Sequence, residues 1–164
     1  MGILQPGAGV GGHCIAVDPW FIVASAPERA RLIRTAREVN DAKPKFVVAQ
    51  IREHAERFKR PVIACLGLTY KPDVDDLRES PAIKIVAQLA CSGEQVLIAD
   101  PDLNTLPEEL AGLPNASLCE TLEAVRRADI VAVLVAHSRF RKIPREELMR
   151  RVVIDATGLT HGFA

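Results

Sequence analysis

Val62-Ile63-Ala64-Cys65-Leu66-Gly67-Leu68-Thr69-Tyr70-Lys71-Pro72-Asp73-Val74-Asp75-Asp76-Leu77-Arg78-Glu79-Ser80-Pro81 decides the fold. Residues 62–68 form a short apolar run that predicts a buried strand. Ser80 followed by Pro81 predicts a helix start, with a hydroxyl as N-cap and proline in the first turn. Strand, charged loop and helix together open a βα unit. The same alternation continues downstream, with strands predicted at 95–99, near 117–118, at 130–136 and at 152–156. Helices are predicted at 80–92, 121–127 and 145–150, the first stopped by Gly93. Residues 61–164 therefore read as an α/β domain, a Rossmann-like open parallel sheet.

Upstream, residues 27–59 follow a helical period, with apolar stripes through Leu32, Ile33, Ala36, Val39, Phe46, Val47, Ile51, Ala55 and Phe58. Pro44 is expected to kink or divide this helix, because it lacks an N–H and clashes with the preceding turn. Such a helix either covers a core or lies at a subunit interface. Before it comes the run Gly7 to Gly12, four glycines in six residues, then Cys14 and, four residues later, Asp18. Glycines let main-chain N–H groups gather around a polar ligand, and a thiol on such a loop suits an exposed nucleophile. Asp18 is placed to handle a water, as a carboxylate does in hydrolysing an acyl intermediate.

Composition removes several classes. Lys plus Arg and Asp plus Glu number 21 each, so no net field favours nucleic acid. No apolar run approaches the roughly 18 to 20 residues that cross a bilayer, so no membrane partner is expected and the location is expected to be cytoplasmic. Cys14, Cys65, Cys91 and Cys119 show no Cys-x-x-Cys spacing, which argues against zinc or a disulfide framework. Cys65 and Cys91 read as buried small hydrophobes, and His13 beside Cys14 is poorly placed to share a metal with it. With 164 residues, the chain has room for one good core and a small appendage.

Two motifs carry a family resemblance. Gly-x-Gly-x-Gly-Gly-x-Cys-x-x-x-Asp, with Gly11 to Phe21 as its fuller form, resembles the active-site loop of the UDP-glucose/GDP-mannose dehydrogenase family. It is most similar to the branch acting on 2-acetamido sugars. The block from Gly67 to Pro81 matches the same family independently. The resemblance implies oxidation of the C6 hydroxyl of a UDP-sugar to a carboxylate with two NAD, UDP-N-acetyl-D-mannosamine being the leading substrate. Cys14 would be the covalent nucleophile, forming a thiohemiacetal and then a thioester, and Asp18 would assist the hydrolytic water. Lys71 matches the family lysine near the sugar nucleotide and Arg78 the arginine near NAD, while Gly11 and Gly12 would touch sugar or pyrophosphate with backbone.

The same resemblance assigns residues 1–60 to the catalytic cysteine loop and the end of a central helical dimerisation domain, and 61–164 to the UDP-sugar-binding domain. It implies a homodimer. It also places the NAD-binding domain, the acid/base glutamate and a catalytic lysine upstream, so the chain is expected to be a carboxy-terminal part without activity alone. Departures from the family pattern include Val17 where a lysine often stands before the aspartate, and Ala8 where proline is frequent. Asp155-Ala156-Thr157-Gly158 lacks the arginine of some relatives. A UDP-N-acetylglucosamine 6-dehydrogenase and a non-catalytic nucleotide-sugar-binding or dimerising module remain alternatives. Asp100, at the end of the second predicted strand, is a weaker candidate for a ribose-binding carboxylate.

Overall fold

The computed structural model describes residues 5–160. Five parallel strands, β1 (Val62–Leu66), β2 (Gln95–Ala99), β3 (Ala116–Leu118), β4 (Ile130–Val133) and β5 (Val152–Asp155), form one sheet in the order β3-β2-β1-β4-β5. β1 is central, and Ile63 to Leu66 have no exposure at all. That burial explains the unbroken apolar run in the sequence, since a parallel strand covered on both faces has no polar side.

Alternate residues divide the sheet between two cores. Ile63, Cys65, Val96, Ile98, Ile130, Ala132 and Ile154 face one side, with Val47, Val48, Ile51 and Ala55 of α2 (Arg31–Ala55) and Ile85, Val86 and Leu89 of α3 (Pro81–Cys91). Ala64, Leu66, Leu97, Ala99, Val131 and Val133 face the other. There they meet Ala124 and Val125 of α5 (Thr121–Arg127), Phe140 of a 3-10 turn (Ser138–Lys142) and Leu148 of α6 (Arg145–Met149). A further short helix, α4 (Glu108–Ala111), buries Leu110 against the first core.

Several boundaries differ from the sequence reading. β1 stops at Leu66 because Gly67 turns the chain at φ 89, and a Cβ there would lie 2.5 Å from Val135 Cβ. β4 stops at Val133, after which the amides of Leu134 and Val135 both turn to the Leu66 carbonyl. The cysteine-bearing segment is not a loop. It is a helix, α1 (His13–Ser25), that opens at Gly12. Pro44 does not divide α2, which runs unbroken from Arg31 to Ala55 with the proline buried inside it. In α1, Pro19 leaves the Ile15 carbonyl without its helical donor, and the Arg37 Nη1 of α2 donates to that oxygen at 3.2 Å.

α2 serves two settings. Its carboxy-terminal half packs into the sheet core, while Leu32, Val39 and Phe46 remain 82%, 68% and 53% exposed. Cys65 is buried as expected, and burial pushes its thiol up to about 12. Cys91, by contrast, is exposed, because it falls on the outer face at the end of α3. Among the described residues no helix is long and apolar enough to cross a membrane.

Candidate functional site

The loop that leaves β1 emerges at the carboxyl edge of the sheet, beside β4, where the strand order reverses. Such switch points leave a crevice for ligands. Here the loop is held from both ends. Ser80 Oγ donates to the Leu68 carbonyl at 2.6 Å and accepts from the Ala82 amide, so the cap of α3 is tied to the end of β1. Two side-chain-bearing residues of the loop adopt positive φ, Asp73 at 57° and Glu79 at 50°; the Asp73 turn is fixed by long-range bonds to His137 and Ser138, and Glu79 pairs locally with Lys84.

Beneath the loop lies a polar hub. His137, fully buried after β4, accepts the Asp73 amide at Nδ1 (3.1 Å) and meets Thr69 Oγ1 (3.0 Å) and Asp100 Oδ2 (3.3 Å) at Nε2. Thr69 Oγ1 in turn donates to the Lys71 carbonyl at 2.9 Å. Asp73 Oδ1 accepts from both the amide and the hydroxyl of Ser138. Asp100 accepts the amides of Leu68 (2.7 Å), Thr69 (3.4 Å) and Asp102 (2.9 Å). Burial alone would raise the Asp100 carboxyl, but hydrogen bonds from His137 and the Leu68 and Asp102 amides outweigh it and hold the group below the usual carboxylate range.

Asp100 is therefore a structural acceptor, turned inward, and not the ribose ligand its position suggested. Ligand-type atoms of Asp100, Asp102 and His137 lie within 4.8 Å of one another, yet both His137 nitrogens and both Asp100 oxygens already have protein partners.

Above the loop sits the start of α1. The Gly12 amide donates to the Arg78 carbonyl at 3.1 Å. Gly12 itself has φ 82, and a Cβ there would lie 2.9 Å from the Tyr70 ring. A Cβ on Gly11 would run into the Glu79 carbonyl oxygen and lie 3.0 Å from Pro81 Cδ. Val10 and the Asn40 side chain of α2 exchange two hydrogen bonds, at 2.7 and 3.2 Å, which clamp the other side of the glycine run. Gly11 and Gly12 are thus a buried seam against the 69–81 loop.

This seam predicts a large structural penalty for Gly11→Ala. Because the obstacle is a backbone oxygen, the helix start must shift, and about 2 kcal/mol of stability is expected to be lost. Urea unfolding checks it, and the urea midpoint is expected to fall.

Across the seam the start of α1 meets the 69–81 loop, close enough for Cys14 to act electrostatically on Arg78. Cys14 and Asp18, one turn apart on α1, are both exposed. Lys71 is exposed, with its ammonium 5.4 Å from the Tyr70 ring centroid. The Arg78 guanidinium uses Nε and Nη2 on Asp76, with Nη2 to Oδ2 at 2.6 Å. That pairing holds the Asp76 carboxyl down at about 2 and raises Arg78 further, with smaller electrostatic contributions from His13 on Asp76 and from Tyr70 and Cys14 on Arg78. Two partners escaped the sequence reading. Asp76 looked like one charge in a solvated loop, and His13 was given no role although its Nε2 lies 3.2 Å from Cys14 Sγ.

Comparison with known proteins gives two family matches in chain order. Residues 1–42 match the central domain of the UDP-glucose/GDP-mannose dehydrogenase family and residues 64–161 its UDP-binding domain. The chain belongs to the UDP-glucose/GDP-mannose dehydrogenase family. It is 56% identical over 158 residues to a protein named NDP-N-acetyl-D-galactosaminuronic acid dehydrogenase from Ralstonia solanacearum, covering 96% of this chain and 37% of that one. It is 51% identical over 148 residues to a UDP-N-acetyl-D-mannosamine dehydrogenase from Campylobacter jejuni, covering 90% and 36%. Among solved structures it is similar to the UDP-N-acetyl-mannosamine dehydrogenase of Staphylococcus aureus, with TM-score 0.75 and 35% identity over 97% of this chain and 37% of that one. The chain spans a little over a third of the length of the relatives it matches.

Proposed function

We propose that this chain is the UDP-sugar-binding, carboxy-terminal part of an NAD-dependent nucleotide-sugar 6-dehydrogenase acting on a UDP-linked 2-acetamido hexose. The observation that carries the reading is the seam at Gly11 and Gly12, which sets an exposed Cys14–Asp18 helix face beside the Lys71–Arg78 loop at the sheet's switch point. UDP-N-acetyl-D-mannosamine is the first substrate to assay. The galacto epimer is the second, because the Ralstonia relative at 56% identity bears that name.

In this proposal residues 1–60 bring the nucleophile and the end of the central domain, and 61–164 bind the UDP-sugar. NAD, bound mainly by a domain outside this chain, supplies the hydride acceptor for both oxidations. Arg78 fits a cofactor-facing role, since its side chain is 61% exposed and its pairing to Asp76 leaves Nη1 for a phosphate or amide oxygen. Lys71 offers a compact ammonium to the sugar nucleotide.

At the aldehyde stage the Cys14 sulfur adds to C6 and holds the carbon through the second oxidation as a thioester. Gly12 carries no side chain to cap the first-turn amides of α1, which leaves donors for the oxygen that becomes negative on addition. Asp18 orients the water that releases the acid. The working enzyme is expected to be a homodimer.

The test is stoichiometric. With the whole protein and each acetamido sugar in turn, two NAD are expected to be reduced for each sugar converted to the uronic acid. A ratio of one, with aldehyde as product, would remove the covalent mechanism. The isolated chain is expected to show no turnover.

A further inference from the structure

We propose that His13 is the proton acceptor for the Cys14 thiol, and therefore a catalytic residue, an inference that rests on the reading of Cys14 as the nucleophile. Its Nε2 stands 3.2 Å from Sγ. Adjacent residues on a helix normally point about 100° apart, so this contact is a property of the helix start. His13 is the first residue of α1 and follows Gly12, whose positive φ and missing side chain leave the ring free to turn back over the sulfur. With the proton on Nδ1, the Nε2 lone pair faces the S–H.

The surroundings match the charges that transfer would create. The S–H bond breaks with its electron pair remaining on sulfur, and the proton bonds to Nε2. The new thiolate then lies within the field of the Arg78 guanidinium, and the new imidazolium within that of the Asp76 carboxylate. Asp76 and Arg78 are locked to each other by a bidentate pair, so each charge that forms has an opposite fixed charge acting on it. Other titratable groups on this side are Asp18, one turn along α1, Tyr70, whose ring lies against Gly12, Lys71, whose ammonium is 5.4 Å from that ring, and Glu79, whose backbone meets Gly11 and whose carboxylate pairs with Lys84. When sulfur adds to the aldehyde carbon, the carbonyl π pair moves to oxygen. That oxygen takes the proton back from Nε2, and His13 returns to its neutral form.

The test needs neither sugar nor NAD. Site-resolved iodoacetamide alkylation of the full chain, read by peptide mass spectrometry between about pH 5 and pH 9, has exposed Cys91 as its internal reference. Cys14 is expected to react faster than Cys91 at neutral pH. His13→Gln is expected to slow Cys14 about tenfold, the scale set by the few per cent thiolate of a free cysteine at pH 7, with its profile moved to higher pH and Cys91 unchanged. Imidazole added to His13→Ala is expected to restore part of the rate, which a disturbed helix start would not allow. Coincident Cys14 and Cys91 profiles in the native chain, an unchanged profile in His13→Gln, or no rescue by imidazole would each overturn the proposal. If His13-dependent alkylation holds while the whole protein oxidises no nucleotide sugar, the dehydrogenase reading fails and the proton acceptor stands.

Discussion

Cys14→Ser in the whole enzyme is expected to lower net uronic-acid formation by about a thousandfold or more, while the protein stays folded. The magnitude follows from what the sulfur is asked to do. A serine hydroxyl holds its proton at neutral pH and adds poorly to an aldehyde, so no acyl intermediate forms for water to hydrolyse, and losses of nucleophiles in covalent enzymes reach or exceed this size. Stability should move by less than about 0.5 kcal/mol, because Cys14 is exposed and its side-chain hydrogen bond is to the neighbouring His13. Mass spectrometry of the product checks the first statement and thermal unfolding the second. Acid made at the native rate by Cys14→Ser would remove sulfur from the mechanism.

Asp100→Asn is expected to cost about 3 kcal/mol, the largest stability loss among isosteric changes at this site. The shape is preserved, but one acceptor oxygen becomes a donor. Oδ2 now accepts the buried Leu68 and Thr69 amides and Oδ1 the part-buried Asp102 amide, so whichever way the asparagine turns, its NH2 meets a backbone N–H. His137 Nε2 also loses its anionic neighbour at 3.3 Å.

The pH dependence supplies a second readout. Asp100 has a folded value below its unfolded one, near 4, so the unfolded chain binds more protons in this range. The contribution is fully present above about pH 4 and is lost as pH falls through the depressed folded value. The gap in urea midpoint between native protein and Asp100→Asn is therefore expected to be constant near neutrality and to narrow below about pH 4. A gap that widens in acid would contradict the assignment of Asp100 as an ionised hub. Because the hub also fixes Thr69 and through it the Lys71 carbonyl, the variant should loosen the proposed sugar-nucleotide loop as well.

Much of the sheet was legible because parallel strands buried on both faces leave an unmistakable mark. The run from Val62, the 95–99 strand and the 121–127 helix lie where local pattern puts them. Strand ends were read too long at β1 and β4, since Gly67 and the turn at Leu134 respond to contact between the two strand ends rather than to their own apolar character. α1 was hidden for a related reason. Its glycine-rich approach and Pro19 both argue against a helix locally, and it is the Arg37 bond to Ile15 that compensates the missing helical donor.

The candidate site divides along the same line. Cys14, Asp18, Lys71 and Arg78 were legible as residue types in two motifs, but the packing of Gly11 and Gly12 against Glu79, Pro81 and Tyr70 was not. Asp100 was read as a weaker candidate for a ribose-binding carboxylate, and His137 was not singled out at all. Nothing near position 137 in the sequence announces that its imidazole closes a network with Thr69, 68 residues away.

What the sequence determined by itself was the unbroken apolar runs of the buried strands, the cap at Ser80 and the chemistry available at each motif, because these depend on neighbours within a few residues. Only the tertiary structure decided which groups meet. The Asp76–Arg78 pair lies beside His13–Cys14, and Asp100 turns inward, because parallel crossovers carry distant segments to one sheet edge. There, buried polar atoms must find partners wherever the chain has brought them.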